Sequence, residues 1–324
     1  MIVGSLEVTQ TSKIFLLNSE CLERVNSSTI AQLFTSSLSI LWPEKIQHEN
    51  VYMFVSDAAP YMKKAGNALK VLFPRMLHLT CLVHGIHRVA EEIREQFADV
   101  DLLISSVKKI FLKAPSRTRV FKEMAPDLSL PPQPILTRWG TWISAACYYA
   151  SNLSKIKDVI RSLDEDSAAS IKTVKTLMGK KGLQNDLAFI LSNYGSIPGA
   201  INSLESRDLT LVNSINIVNS VIEGICEVSG SKGHIIKKKC ENVFLKNEDF
   251  ETVKDLAAIL SGDFRAKSVN YDASEIASFK YAPVTSVDVE RSFSQLKYLL
   301  NDRRQSLTFD NLKKYLIVSA NSIF

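Results

Sequence analysis

The chain opens with two short apolar runs, Met1-Ile2-Val3-Gly4-Ser5-Leu6 and Lys13-Ile14-Phe15-Leu16-Leu17, separated by Thr, Gln and Ser. Apolar runs around a polar link predict a β-hairpin. Between Asn26 and Leu41, Ile30, Leu33, Phe34, Leu38 and Leu41 recur at three- and four-residue intervals, the one-sided stripe of an amphipathic helix closed off near Pro43. Val51 to Val55 is a buried strand by its unbroken apolar run, Ala58 to Leu72 a second helix, and Met76 to Thr80 another strand. The predicted order is β-β-α-β-α-β. From Leu82 the pattern turns helical, with Val83, Ile86, Val89, Ala90, Ile93 and Phe97 on one stripe, and further helices run to about Leu260. Pro126, Pro131, Pro132 and Pro134 make an extended connector that delivers Arg138 and Trp139 to the next helix. Ser268 to Pro283 reads as a second connector, ahead of a final helical pair.

Composition bounds this picture without redirecting it. With 324 residues and 46% apolar side chains, the chain can bury a large core. Five scattered cysteines, Cys21, Cys81, Cys147, Cys226 and Cys240, give no disulfide framework and suit a reducing compartment. The start lacks a signal-peptide pattern and no window is apolar enough to span a bilayer, so the expectation is a soluble, intracellular protein without a membrane partner. The net charge of +5 permits nucleic-acid contact but does not argue for it. Lys108, Lys109, Lys113, Arg117, Arg119 and Lys122 lie in a stretch without Asp or Glu, a candidate phosphate-contacting surface or a solvated helix and loop. Lys237-Lys238-Lys239 is a short basic run open to the same two readings, nuclear import or a solvated surface.

Four places carry candidate chemistry. Asp57 ends the third strand, where it can hold a hard divalent cation or cap the helix that follows. Glu290 lies in the first turns of a helix in which Thr285 and Asp288 have capping-box spacing and Val289, Phe293, Leu296 and Leu300 form the expected buried stripe. It is either a metal-holding acid or a surface glutamate favoured by the helix dipole. Cys81 and His84, flanked by His78 and His87, give four zinc-type ligands at three-residue spacing, although one short segment does not easily wrap a tetrahedron. Arg138 and Trp139 can grip phosphate and stack on an unpaired base, or fill a helical core together with Trp142.

Taken in order, Val51 to Met62 with Asp57, Cys81-Leu82-Val83-His84, Thr137-Arg138-Trp139-Gly140-Thr141-Trp142 and Thr285-Ser286-Val287-Asp288-Val289-Glu290-Arg291-Ser292-Phe293-Ser294 resemble the hAT superfamily of DNA transposases. The resemblance runs from the first residues to Asn321. It implies an α/β (α+β) chain with a ribonuclease-H-like mixed sheet over residues 1–100, a mainly helical insertion over 101–280 and a C-terminal dimerisation element over 281–324. Its implied activity is Mg2+- or Mn2+-dependent DNA cleavage and transfer by three carboxylates, of which Asp57 and Glu290 are two. His84 is placed near the scissile phosphate, and Arg138 with Trp139 beside a flipped base. Phe293, Leu296, Leu312, Tyr315 and Leu316 match the dimerisation element. The first family aspartate and its strand have no counterpart, since no aspartate precedes Asp57 and Glu7 lies in the hairpin region. No finger-type Cys-x-x-Cys with a downstream His pair occurs either. The expectation is a transposase-derived nuclear protein that dimerises and binds DNA without cutting it. An active enzyme, its first strand lying upstream of the given start, is the alternative. No small-molecule substrate is implied.

Overall fold

The predicted hairpin forms. In a computed structural model, which describes residues 1–11, 13–135, 139–263, 265–300 and 307–322 and only the backbone of Trp139, β1 (Ile2–Gly4) pairs antiparallel with β2 (Ile14–Leu16), Val3 opposite Phe15. Helix α1 (Ser27–Leu41) follows, started by a capping box: the Asn26 side chain accepts from the Ser28 and Thr29 amides, and the Thr29 hydroxyl accepts from the Asn26 amide. Strand β3 (Met53–Ser56), helix α2 (Pro60–Leu72) and strand β4 (Leu77–Thr80) make a βαβ unit whose strands run parallel, Met53 beside Leu77 and Ser56 beside Thr80. The remaining described elements are helical: α3 (Leu82–Glu95), α4 (Ala98–Phe111), α5 (Pro115–Met124), α6 (Trp139–Ser162), α7 (Ala169–Met178), α8 (Lys181–Tyr194), α9 (Ile197–Leu204), α10 (Leu211–Cys226), α11 (Gly230–Leu245), α12 (Phe250–Leu260), α13 (Ala273–Ser278), α14 (Val287–Leu299) and α15 (Phe309–Asn321). The fold class is therefore mixed α/β and mostly helical, with two sheets of two strands each among the described residues.

The chain divides into two compact units, one of Met1–Gly85, Ser203–Ile217 and Phe244–Phe324, the other of Ile86–Asn202 and Val218–Val243. In the first, α1 and α2 pack together over β3 through Phe34, Leu38, Val51, Leu69, Phe73 and Met76, with Phe34 edge-on to both Phe54 and Phe73. Gly66 lets α2 approach the sheet closely, because a Cβ there would stand 2.0 Å from His78 Nδ1. The hairpin rests on α14 and α15 through Leu16, Leu299, Leu316 and Ala320.

Two strand edges in this unit are closed by side chains. Along β4, the Asn247 carboxamide receives the Thr80 N–H at 2.9 Å and donates to the Thr80 carbonyl at 2.8 Å, while the His78 N–H donates to Asp249. Along β2, the Leu16 N–H donates to Asn321 Oδ1 at 2.7 Å and Asn321 Nδ2 donates to the Leu16 carbonyl at 3.3 Å. A carboxamide offers one donor and one acceptor, as a neighbouring strand's peptide group does.

The second unit is helical. Val100, Leu103, Ile104, Val107 and Ile110 of α4 are buried, as are Ile143, Ala146 and Tyr149 of α6. Trp142 is buried there too, its indole N–H donating to Asp101 at 2.9 Å, and Asp101 also takes both Arg94 guanidinium bonds. Among the described residues no helix is long and apolar enough to cross a membrane.

Three local expectations are corrected. The stretch from Ser268 to Pro283 is not only a connector: Asp272 and Glu275 form a reciprocal capping box that starts α13. No capping box starts α14, whose N-cap Ser286 makes no side-chain bond to the helix amides, and Asp288 pairs with Arg207 and Arg291 instead. The buried face of α14 is Val287, Ser292 and Leu299, leaving Val289, Phe293 and Leu300 exposed.

Candidate functional site around His84

Strand β3 ends at Ser56, and Asp57 is exposed just beyond it. Asp57 does not cap α2. The N-cap is Ala59, ahead of Pro60, and Asp57 Oδ1 accepts from the Ala59 N–H at 3.0 Å in a turn of its own. The neighbouring strand β4 leads through Cys81 into α3, and Cys81 N–H reaches back to the Ser56 carbonyl at 2.7 Å. This bond fixes the start of α3 against the end of β3.

The segment before α14 meets the same place from the far end of the sequence. Leu82 N–H donates to the Val284 carbonyl at 3.0 Å, and Ser286 N–H donates to Cys81 Sγ at 3.3 Å. His84 Nδ1 lies 3.4 Å from the Ser286 hydroxyl, and His84 Nε2 lies 3.4 Å from Glu290 Oε1. Asp288, two residues earlier on α14, is held by Arg207 at 3.0 Å and Arg291 at 2.7 Å, and Arg291 also donates to the Glu205 carbonyl. Guanidinium anchors of this kind fix the rotation of the helix that carries Glu290.

His84 and Cys81 share a proton economy. The hydrogen bond that the ring donates to Cys81 raises the imidazole pKa above its ordinary value; burial opposes this, and the charges of Cys81, Glu290 and Asp57 add to it. Burial raises the Cys81 thiol, but the bonds from His84 and Ser286 and the His84 charge outweigh it, so its pKa falls. Asp57 and Glu290 thus both act on one imidazole. What the arrangement offers is a half-buried imidazole beside the Glu290 carboxylate, with its affinity for a proton raised above the ordinary value.

Protein-family models give no match to the chain, and neither do curated proteins. The remaining sequence candidates are placed by the geometry alone. His78, Cys81, His84 and His87 do not gather as a zinc site: His78 is buried against Ser56 and Phe54, while His87 Nδ1 accepts from the Gly140 N–H at 3.4 Å. Among the described residues no group of three or more His, Cys, Asp and Glu side chains is arranged to hold a metal ion. Arg138 and the side chain of Trp139 lie outside the described residues.

Lys108 and Lys109 sit in the last turn of α4, and Arg117 and Arg119 on α5. Arg119 is largely exposed, 3.8 Å from Glu123, and lines a shallow depression with Pro115, Thr118 and Lys122. Arg117 is half-buried, with Nη1 unbonded among the described residues. Of the five dimerisation candidates, Phe293 and Tyr315 are exposed. Leu296 and Leu312 are partly buried against the hairpin core, and Leu316 belongs to that core. Ser286, Asp288, Arg207 and Arg291 were not singled out as site residues. The Ser286 contact carries no sequence signal, and the Asp288–Arg291 spacing of one helical turn is common on any exposed helix.

Proposed function

We propose that the chain is a hAT-transposase-derived protein that dimerises, binds DNA and, as these 324 residues stand, does not cut it. The observation that carries the reading is the meeting of His84 with Glu290 at 3.4 Å, two residues from separate motifs of the resemblance. Two further features support it. The βαβ unit of β3, α2 and β4 with Asp57 at the strand end suits a ribonuclease-H-like sheet, and Phe293, Tyr298, Tyr315 and Val318 expose apolar surface on the last two helices. On this reading Lys108, Lys109, Arg117 and Arg119 contact phosphates, and the protein works in the nucleus.

Mg2+ or Mn2+ would be held by the oxygens of Asp57 and Glu290. Two carboxylates supply fewer oxygens than a two-metal centre uses, which is the physical reason for expecting no cleavage. The test is a supercoiled-plasmid assay with the purified chain in Mg2+ and in Mn2+, alongside fluorescence anisotropy with labelled duplex DNA across a salt series. The expected result is an intact plasmid and binding that weakens steeply with salt. Metal-dependent nicking lost in both Asp57→Ala and Glu290→Ala would overturn the non-cutting part and favour the active enzyme. Salt-independent or absent binding would overturn the DNA-binding part.

A further inference from the structure

The rotation of α14 decides where Glu290 points, and apolar packing specifies that rotation weakly. The helix buries Val287, Ser292 and Leu299 and leaves Val289, Phe293 and Leu300 exposed. The Ser292 hydroxyl turns back to the Val289 carbonyl at 2.6 Å, so the buried apolar side chains are Val287 and Leu299, near the two ends. No side chain caps the first turn. At about 100° per residue, Asp288 and Glu290 stand about 200° apart, on nearly opposite sides of the helix. Both sides are gripped. Glu290 Oε1 lies 3.4 Å from His84 Nε2, and Asp288 Oδ1 receives Arg207 Nε at 3.2 Å and Nη2 at 3.0 Å.

The grip on Asp288 comes from a distant part of the sequence. Ser203–Ile217 belongs to the first unit, although Ile86–Asn202 and Val218–Val243 on either side of it belong to the second. In that excursion the loop between α9 and α10 carries Glu205 and Arg207. Arg291 completes the exchange: it donates to Asp288 Oδ1 at 2.7 Å and to the Glu205 carbonyl at 2.9 Å. Bonds thus run from loop to helix and from helix to loop, which ties the two together. The Arg207 and Asp288 side chains are 35% and 29% exposed, and an ion pair so open to water adds little to stability. Its contribution is geometric. We propose that Arg207 is a positioning residue for Glu290: by holding Asp288 on one side of α14, it keeps the Glu290 carboxylate against His84 on the other. This rests on the proposed reading in which Glu290 supplies oxygens to a divalent cation, and it adds a residue that lies in none of the four motifs of the resemblance.

Heteronuclear NMR of the histidine ring nitrogens, on the whole chain at one fixed pH, tests the proposal, because a ring beside a carboxylate differs in its nitrogen shifts from a ring beside a neutral group. Glu290→Gln defines the change at His84 when the carboxylate is lost. Arg207→Ala should reproduce more than about half of that change, and combining it with Glu290→Gln should add nothing further. Arg207→Lys keeps the charge near Asp288 without the planar fork, and should fall between the wild type and Arg207→Ala. Arg265→Ala, at an exposed arginine beyond α12, should leave His84 unchanged. Arg207→Ala should also keep the wild-type thermal midpoint; should it not, Asp288→Ala opens the same clamp from the helix side and should give the same change at His84. A wild-type His84 signal in Arg207→Ala, or a further change in the double variant, would overturn the proposal. Mn2+ titration followed by electron paramagnetic resonance checks the underlying reading separately. Where the wild type binds Mn2+, Arg207→Ala should weaken it about tenfold, although losing a positive charge would by itself tighten it. Equal or tighter binding would overturn the proposal, whereas no binding by the wild type removes the metal from the reading and leaves the ring shifts to decide on Arg207.

Discussion

Lowering the pH should unfold this protein through His78 before its carboxylates titrate fully. The ring is buried and stacked on Phe54 at 4.9 Å. The Ser56 hydroxyl donates to the Asp57 carbonyl at 2.8 Å, so towards His78 Nε2, also at 2.8 Å, it can only accept. His78 is therefore the neutral tautomer with the proton on Nε2. Its Nδ1 faces Gly66 so closely that neither a water nor a Cβ fits between them. Protonating Nδ1 would bury a charge, and burial is the main reason that the pKa falls from 6.5 to about 4, with Lys70 adding to the effect and Asp249 opposing it. The unfolded chain then binds the proton more readily than the folded one. Stability from the neutral ring is complete above 6.5 and is lost as the pH falls towards 4. The full gap corresponds to about 3 kcal/mol. Urea unfolding of the wild type and His78→Gln, compared across this window, should show the wild type losing about 3 kcal/mol more than the variant. Equal losses, or a His78 ring that titrates near 6.5 by NMR, would refute the reasoning.

Gly66→Ala forces the His78 ring to move and should cost about 1–3 kcal/mol in urea unfolding. Asn247→Ala strips the Thr80 N–H and C=O of their partners inside the fold and should cost about 2–4 kcal/mol, read from the same transition; a loss under about 0.5 kcal/mol would mean that water replaces the carboxamide. Phe293→Lys with Tyr315→Lys should turn a dimer into a monomer by light scattering while the thermal midpoint holds, since both side chains are exposed. The same pair made with Leu316→Lys should unfold the chain, because Leu316 is in the core.

Elements set by local signals were legible in the sequence. The stripe from Ile30 to Leu41 marks a helix and the apolar run at Met53–Val55 marks a strand, each through residues close in sequence, whereas the start of α2 was placed at Ala58 behind Asp57 and lies at Pro60. The face of α14 was not legible. Val289, Phe293, Leu296 and Leu300 make as good a stripe as Val287 and Leu299, and periodicity cannot say which side the hairpin will cover. Helix α13 was hidden by its shortness, although Asp272 and Glu275 carried its capping signal. At the candidate site, the one-turn spacing of Cys81 and His84 was visible, but their meeting with Ser286 and Glu290 spans about two hundred residues and left no periodic trace. Asn247, Asp249 and Asn321 look like ordinary turn or helix-end residues until their partners are known.

The side chains that close β4 and β2 also set a timetable for synthesis. Thr80 waits for Asn247, 167 residues later, and Leu16 waits for Asn321, 305 residues later. At ribosomal rates of about 5–20 residues per second, the β4 edge stays uncovered for roughly ten to thirty seconds and the hairpin edge for longer. During that interval the nascent chain carries sticky strands with no means of finishing them, so its yield in a cell should depend on chaperone supply more than its final stability would suggest. Slower translation between the codons for Thr80 and Asn247 should lower the soluble fraction, whereas slowing after Asn321 should not.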